Sequence, residues 1–264
     1  MNLTLESETL KLDFCEKTGR LLSLTAKQTG WQIQDRAEIG LNWRLMVPLS
    51  EELRNNGVHG EKQTLTALEQ GKDGIVFVWD GVDSERGGRL DIKITLHVRA
   101  EGPQIVYTIS VENRSPYTVE NVYCPYLGDV QRPRDAAYLN AFFYNYNRGI
   151  EVGMWPNFWN QEGYFGVDFP TQLQGQMCAG APMTPYYLIH DGKQGLYAGV
   201  KTASAELVSW MAELRPGYGS SIDSRVPVSR EIAGKPVQTL FAALHVPYIL
   251  PGESRALTPV ALEA

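Results

Sequence analysis

The sequence predicts an all-β protein built as an antiparallel β-sandwich or barrel. Three observations carry that expectation. Side chains alternate with period two along much of the chain, Gly, Pro and Asn turn signals separate the alternating runs, and helical spacing is scarce.

The elements follow in order. Leu10, Leu12 and Phe14 alternate, the segment CEKTG turns the chain with Gly19 available for a positive φ, and RLLSLTA returns as the second strand of a hairpin. GIVFVWD at 74–80 reads as a strand, and the glycines of GVDSERGGR at 81–89 are those of a hairpin loop. In DIKITLHVR, Ile92, Ile94, Leu96 and Val98 face one way, and Asp91, Lys93, Thr95, His97 and Arg99 face the other. After the Gly102-Pro103 turn, Ile105, Tyr107, Ile109 and Val111 repeat the pattern and complete a hairpin. Further strands are expected at 118–127, 185–190, 195–200, 237–246 and 254–262. The window 203–214 is ambiguous: Leu207, Trp210, Met211 and Leu214 fit a helix at i, i+3, i+4 and i+7, or a twisted strand with Trp210 inward. With no fixed-period repeat and no linker, residues 1–264 are expected to form a single domain.

Composition narrows the function. With 43% hydrophobic residues among 264, the chain can bury a sizeable core. A net charge of -6 and the lack of a basic cluster argue against nucleic acid as a partner. The opening MNLTLESETLKLDF lacks a leader's cationic and apolar regions, and no run of eighteen apolar residues exists, so a cytoplasmic location without a membrane span is expected. Cys15, Cys124 and Cys178 are too scattered for a disulfide framework or a zinc site and read as buried thiols, with one pairing left open. No cofactor and no metal are expected.

Catalytic motifs are sparse. There is no G-x-S-x-G elbow, phosphate-binding loop or dinucleotide fingerprint. His59, in the Gly/Asn-rich RNNGVHGE, reads as a loop histidine; His97 reads as solvated on the polar face of its strand, and His245 as a hydrogen-bonded, partly buried imidazole. His190 and Asp191 open a hairpin loop and sit on a rim, which makes His190 a catalytic candidate. Glycoside cleavage needs two carboxylates about 5–9.5 Å apart, and Glu151, Glu162 and Asp168 lie near one aromatic-rich stretch. Asp168 and Glu162 therefore join His190 as catalytic candidates.

That stretch is the most distinctive part of the sequence. From Tyr138 to Phe169 it holds eleven aromatic rings in thirty-two positions, interleaved with Asn, Gln, Asp and Arg. Rings beside amide and guanidinium donors suit a pyranose, which has apolar C–H faces and a rim of hydroxyls. The same rings suit an irregular segment packing on itself or on a partner domain. Sugar binding or domain contact is assigned to Arg148, Trp155, Phe158, Trp159, Tyr164 and Asp168, with both alternatives open.

A family resemblance adds to this. LKLDFCEKTGRLLSLTAKQTGWQI, ISVENRSPYTVENVYCPYLGDV, DFPTQLQGQMCAGAPMTPYYLIHDGKQGLYAGV and LHVPYILPGESRALTPVAL together resemble the N-terminal module of large bacterial glycoside hydrolases of the endo-α-N-acetylgalactosaminidase type. The resemblance implies a galactose mutarotase-like β-supersandwich of two large antiparallel sheets with little helix, the N-terminal part of a longer multidomain protein. Its partners would be a carbohydrate, a C-terminal catalytic barrel beginning after Ala264, or both. True aldose mutarotases share the fold and use a histidine acid in an N-H-x-Y-F-N-L type segment. Here NQEGYFGVDF keeps Tyr164 and Phe165, but Glu162 and Gly163 stand where the histidine is needed. The expected function is a non-catalytic carbohydrate-associated domain, with a stand-alone epimerase or glycoside-cleaving enzyme as the alternative.

Overall fold

The computed structural model describes residues 2–52, 55–145, 148–153, 173–177, 186–215 and 238–264. In chain order its strands are β1 (Asn2–Glu6), β2 (Leu10–Cys15), β3 (Leu21–Ala26), β4 (Gln32–Gln34), β5 (Arg44–Met46), β6 (Gly57–His59) and β7 (Ala67–Gln70). There follow β8 (Gly74–Asp83), β9 (Arg89–Glu101), β10 (Gln104–Asn113), β11 (Asn121–Leu127), β12 (Asn140–Asn145), β13 (Arg148–Gly153) and β14 (Leu173–Met177). The last are β15 (Tyr186–His190), β16 (Gly195–Val200), β17 (Val208–Arg215), β18 (Gln238–His245), β19 (Ser254–Ala256) and β20 (Val260–Glu263). Helix among the described residues amounts to two 3-10 turns, Ala37–Ile39 and Gly60–Lys62.

The strands form three sheets. One has four strands in the order β1-β2-β3-β4, one has six in the order β14-β17-β18-β11-β5-β6, and one has ten, in the order β13-β12-β15-β16-β20-β10-β9-β8-β7, with β19 also on β10. The pairings that build them are antiparallel. An all-β sandwich is what the alternation predicts, although the second layer is split into a four-stranded and a six-stranded sheet.

Period two decides which face of each sheet is buried. In β9, Leu90, Ile92, Ile94, Leu96 and Val98 are buried, and the residues between them are not. These side chains belong to one hydrophobic core that draws on all three sheets, including Leu10 and Phe14 of β2, Leu45 of β5, Val122 of β11 and Phe241 of β18. Rings cross between layers: Phe14 lies 5.2 Å from Phe77, Trp43 5.2 Å from Trp79, and Tyr187 5.3 Å from Phe241. Each such side chain contributes about 1.5–3 kcal/mol by leaving water. The turn between β2 and β3 depends on glycine, because Gly19 has φ +71° and a Cβ there would lie 2.7 Å from the Trp79 ring.

The window 203–214 resolves as strand. β17 spans Val208–Arg215 and pairs along its length with β18, so Trp210 is buried in the shared core while Met211 points to the opposite face. Sheet pairing of the flanking segment overrides the helical spacing. The expected strand at 254–262 is two short strands, β19 and β20, both on β10.

Two polar clamps tie the sheets to one another. Asp129 is fully buried and receives Arg36 Nε at 2.6 Å and Nη2 at 2.5 Å, with a further hydrogen bond from Gln131 Nε2. His245 is buried, with Nε2 3.0 Å from the Cys124 carbonyl oxygen and Nδ1 3.1 Å from Glu206 Oε1. Burial raises the Glu206 pKa, but the His245 and Thr258 hydrogen bonds outweigh it and hold the carboxyl below its ordinary value. The ring spans a carboxylate and a carbonyl oxygen, one on each nitrogen. The partly buried histidine expected at His245 is thus a structural tie. Removing the acceptor of the first clamp, Asp129→Ala, is expected to cost about 3 kcal/mol, because it strands a half-buried guanidinium; urea unfolding compared with the parent chain measures this.

Candidate functional site

The six-stranded sheet presents its second face away from the shared core. Since Leu45, Val58, Val122, Trp210 and Phe241 point inward, their neighbours in sequence point out. A bulge between Tyr123 and Tyr126 shifts the register of β11, and both tyrosines end up on this outer face, their rings stacked at 5.9 Å. Strand pairing then lines up His59, Arg44, Tyr123, Leu244 and Ser209 in one row across the sheet. Tyr126, Ala242 and Met211 form a second row, packed with Leu41 and Leu240 in a separate apolar cluster.

The first row carries the chemistry. Arg44 and His59 are each only 4% exposed, and Arg44 Nη2 lies 2.8 Å from His59 Nδ1. A guanidinium has only donors, so Nδ1 accepts and the imidazole proton sits on Nε2. From there it is donated to Glu85 Oε1 at 2.6 Å. The Arg44 guanidinium also lies over the Tyr126 ring, 5.3 Å from its centroid. Glu61 brings Oε1 to 3.4 Å from His59 Nδ1, while its buried Oε2 has no hydrogen-bond partner among the described residues.

Burial pushes both carboxyl pKa values up, but the His59 Nε2–H bond to Glu85 and the Arg44 charge near both carboxylates outweigh it, so Glu61 and Glu85 are held below the ordinary carboxylate value. The result is a buried row of donors and acceptors bordered by two phenol rings.

Local sequence explains how the row is held. Glu85 belongs to the hairpin loop between β8 and β9, and its N–H donates to the Gly57 carbonyl at 2.9 Å. Gln63 staples the same junction, giving Nε2 to the carbonyls of His59 and Asp83 and accepting the Asp83 N–H. Gly60 lets the chain turn here, because a Cβ would lie 2.1 Å from Asn42 Oδ1.

The expectation for His59 is therefore corrected. It is a strand residue, buried and bonded through both ring nitrogens. Of the residues that suggest a loop, Gly57 opens the three-residue strand itself and Gly60 begins the 3-10 turn that follows it. Glu61, Glu85 and Arg44 carry no sequence signal of their own, since charged residues read as surface until pairing buries them.

His190 lies elsewhere. It ends β15 on the outer face of the ten-stranded sheet, because Tyr187 and Ile189 point into the core. Its Nδ1 accepts the Gly192 N–H at 3.2 Å, and Nε2 lies 3.6 Å from Glu151 Oε1, which also accepts from Asn140. The sandwich separates His190 from His59. Arg148 opens β13 opposite Asn145. Trp155, Phe158, Trp159, Glu162, Tyr164 and Asp168 lie outside the described residues, as does Cys178. Cys15 and Cys124 are free thiols. His97 is half-buried on the polar face, as the alternation predicts. Among the described residues, no group of three or more His, Cys, Asp or Glu is placed to hold a metal ion, and no helix is long and apolar enough to cross a membrane.

No protein-family model and no curated protein matches the sequence. Solved structures do. The galactose mutarotase related enzyme of Lactobacillus acidophilus aligns with 100% of this chain and 97% of its own, with a TM-score of 0.53 and 8% identity. The GalM/aldose epimerase homologue of C. elegans aligns with 100% and 98%, with a TM-score of 0.54 and 9% identity.

The fold is the galactose mutarotase-like β-sandwich. A GH36 α-galactosidase of Geobacillus stearothermophilus also aligns with 100% of the chain, but over only 40% of its own length, with a TM-score of 0.51 and 10% identity. The galactose mutarotase-like likeness is one of fold, and the row containing His59 is a feature of this chain's own residues.

Two outcomes test the site. His59→Ala leaves Arg44 and Glu61 facing each other across a gap and is expected to cost about 3–5 kcal/mol in urea unfolding. Because Glu61 and Glu85 titrate below their unfolded value of 4.5, the stability they contribute is full above that value and is lost as pH falls through the lower folded-state pKa. Thermal melts from pH 7 to 3 should therefore show the gap between the parent chain and Glu85→Gln closing on the acid side of 4.5.

Proposed function

We propose that the chain is a non-catalytic, carbohydrate-associated β-sandwich module of a glycoside hydrolase. Its partners are a sugar and a catalytic barrel in the same protein. The observation that carries this reading is the proton inventory of the His59 row. Both imidazole nitrogens are committed, one accepting from Arg44 and one donating to Glu85. A ring so engaged holds groups in place and has no free nitrogen with which to move a proton at an anomeric carbon. The buried row instead fixes the outer face of this sheet, where half-buried Tyr123 offers a ring to the C–H face of a pyranose.

Two further points support the reading. The α-galactosidase that shares the fold is more than twice as long as the matched part, so this sandwich also occurs within a longer carbohydrate-active enzyme. In the sequence, the ring-rich segment containing Trp155, Phe158, Trp159 and Tyr164 has the composition of a sugar rim or a domain contact, and Arg148 begins the strand that leads into it. The alternative of a stand-alone epimerase is favoured by near-complete coverage of the epimerase-like structures. It lacks the expected histidine, since Glu162 and Gly163 occupy that place.

Polarimetry on freshly dissolved α-D-glucose and α-D-galactose separates the two. The module is expected to leave the spontaneous rate unchanged and to bind neutral oligosaccharides with dissociation constants of about 0.1–10 mM. Accelerated mutarotation, lost in His190→Ala or Asp168→Asn, would overturn the non-catalytic reading.

A further inference from the structure

We propose a second sugar site on the outer face of the ten-stranded sheet, where Tyr197 seats one neutral hexopyranose unit of an oligosaccharide. This rests on the carbohydrate-associated reading above and is independent of the His59 row, which lies across the sandwich.

The floor of the site follows from the strand pattern. Leu188, Tyr197 and Glu263 are register partners across β15, β16 and β20 and point outward together. Gly199 is two residues beyond Tyr197 on the same face, and a Cβ there would lie 2.0 Å from the Tyr197 hydroxyl. The phenol ring therefore lies down along its own strand, over a position that only glycine leaves open. Tyr186, the register partner of Gly199, flanks it with ring centroids 5.8 Å apart. A ring laid flat on a sheet turns its other face to solvent, and Tyr197 is half-buried. That is the geometry on which the C–H face of a pyranose stacks.

The rim supplies the hydroxyl partners. A cavity of about 570 Å³ is lined by Gln104, Leu188, His190, Lys193, Tyr197 and Glu263. It falls within the span of about 300–1,000 Å³ common for small-ligand sites. Gln104 donates Nε2 to Glu263 Oε2 at 3.0 Å and accepts Lys201 Nζ at 2.5 Å, so both side chains are held in place before any ligand arrives. His190 keeps its proton on Nε2, because Nδ1 accepts the Gly192 N–H. Charge selects the ligand. Glu263 and Lys193 both line the floor, Glu151 stands 3.6 Å from His190 Nε2, and Lys201 is already engaged with Glu101 at 3.4 Å, so the balance around the site is negative. A sugar acid or sugar phosphate meets like charge here, and a neutral sugar does not.

The experiment is a ¹H–¹⁵N titration of the full chain with maltotriose, cellotriose and β-1,4-galactobiose in turn. At least one is expected to bind saturably, with shifts at the amides of Gly192, Gly195 and Gly199. Tyr197→Ala should weaken that binding about tenfold, and Tyr197→Phe, which keeps the ring, less than about threefold. Gln104→Leu, at the rim, should weaken it about threefold, and thermal melts of each variant beside the parent chain separate lost binding from a folding defect. Binding with shifts confined to residues 44–46, 57–59 and 121–127 overturns this site and leaves the carbohydrate-associated reading standing. Binding that survives Tyr197→Ala at full strength also overturns the site. No saturable binding of any of the three overturns both.

Discussion

The packing of rings between layers is the constraint on which the other features depend. Phe14, Phe77, Trp79 and Trp43 form a continuous run of ring contacts, and Tyr187, Phe241 and Trp210 form another. Both runs cross from the ten-stranded sheet to the opposite layer. Because side chains alternate strictly along a strand, fixing which residues point inward leaves no freedom about which point out. Arg44, His59 and Tyr197 hold their positions because Leu45, Val58, Leu196 and Ala198 hold theirs.

The two outer faces have different characters. On the six-stranded sheet, buried charged groups sit beside a small apolar cluster, with Arg44 and Glu85 bonded to opposite nitrogens of His59. On the ten-stranded sheet the outer face is half-exposed, with a tyrosine and a leucine flanked by amide, imidazole and carboxylate groups. The first arrangement is rigid and desolvated, and its interactions are strong because water is excluded. The second is open to solvent and offers contact without reorganisation of the chain.

Much of the architecture was legible in the sequence. The clean alternation of residues 91–99 and 105–111 and the glycine at position 19 appear in the structure where the pattern places them, and the hairpin loop expected at 81–89 narrows to 84–88 because β8 runs on to Asp83. The helix-like spacing of Leu207, Trp210, Met211 and Leu214 left that window open between helix and strand because two of those residues face opposite sides of a strand, each with its own apolar neighbours. A strand buried on both faces loses the alternation that identifies it. The site was much less legible. His59 stands fifteen residues from Arg44 and twenty-six from Glu85, and only sheet pairing brings the three together. The histidine that the sequence marked, His190, was placed correctly at the rim of its hairpin, yet its carboxylate neighbour is Glu151.

The bond between His59 and Glu85 has a mechanical side. His59 belongs to the six-stranded sheet, and Glu85 to a hairpin of the ten-stranded one. The contact is thus a strut across the mouth of the sandwich. A ligand, partner or substitution that spreads the layers at this edge acts on this bond together with the Glu85 N–H to Gly57 carbonyl bond beside it. The imidazole ring is therefore a built-in gauge of how far apart the sheets stand, and its nuclear magnetic resonance signals should register strain in the fold from a considerable distance.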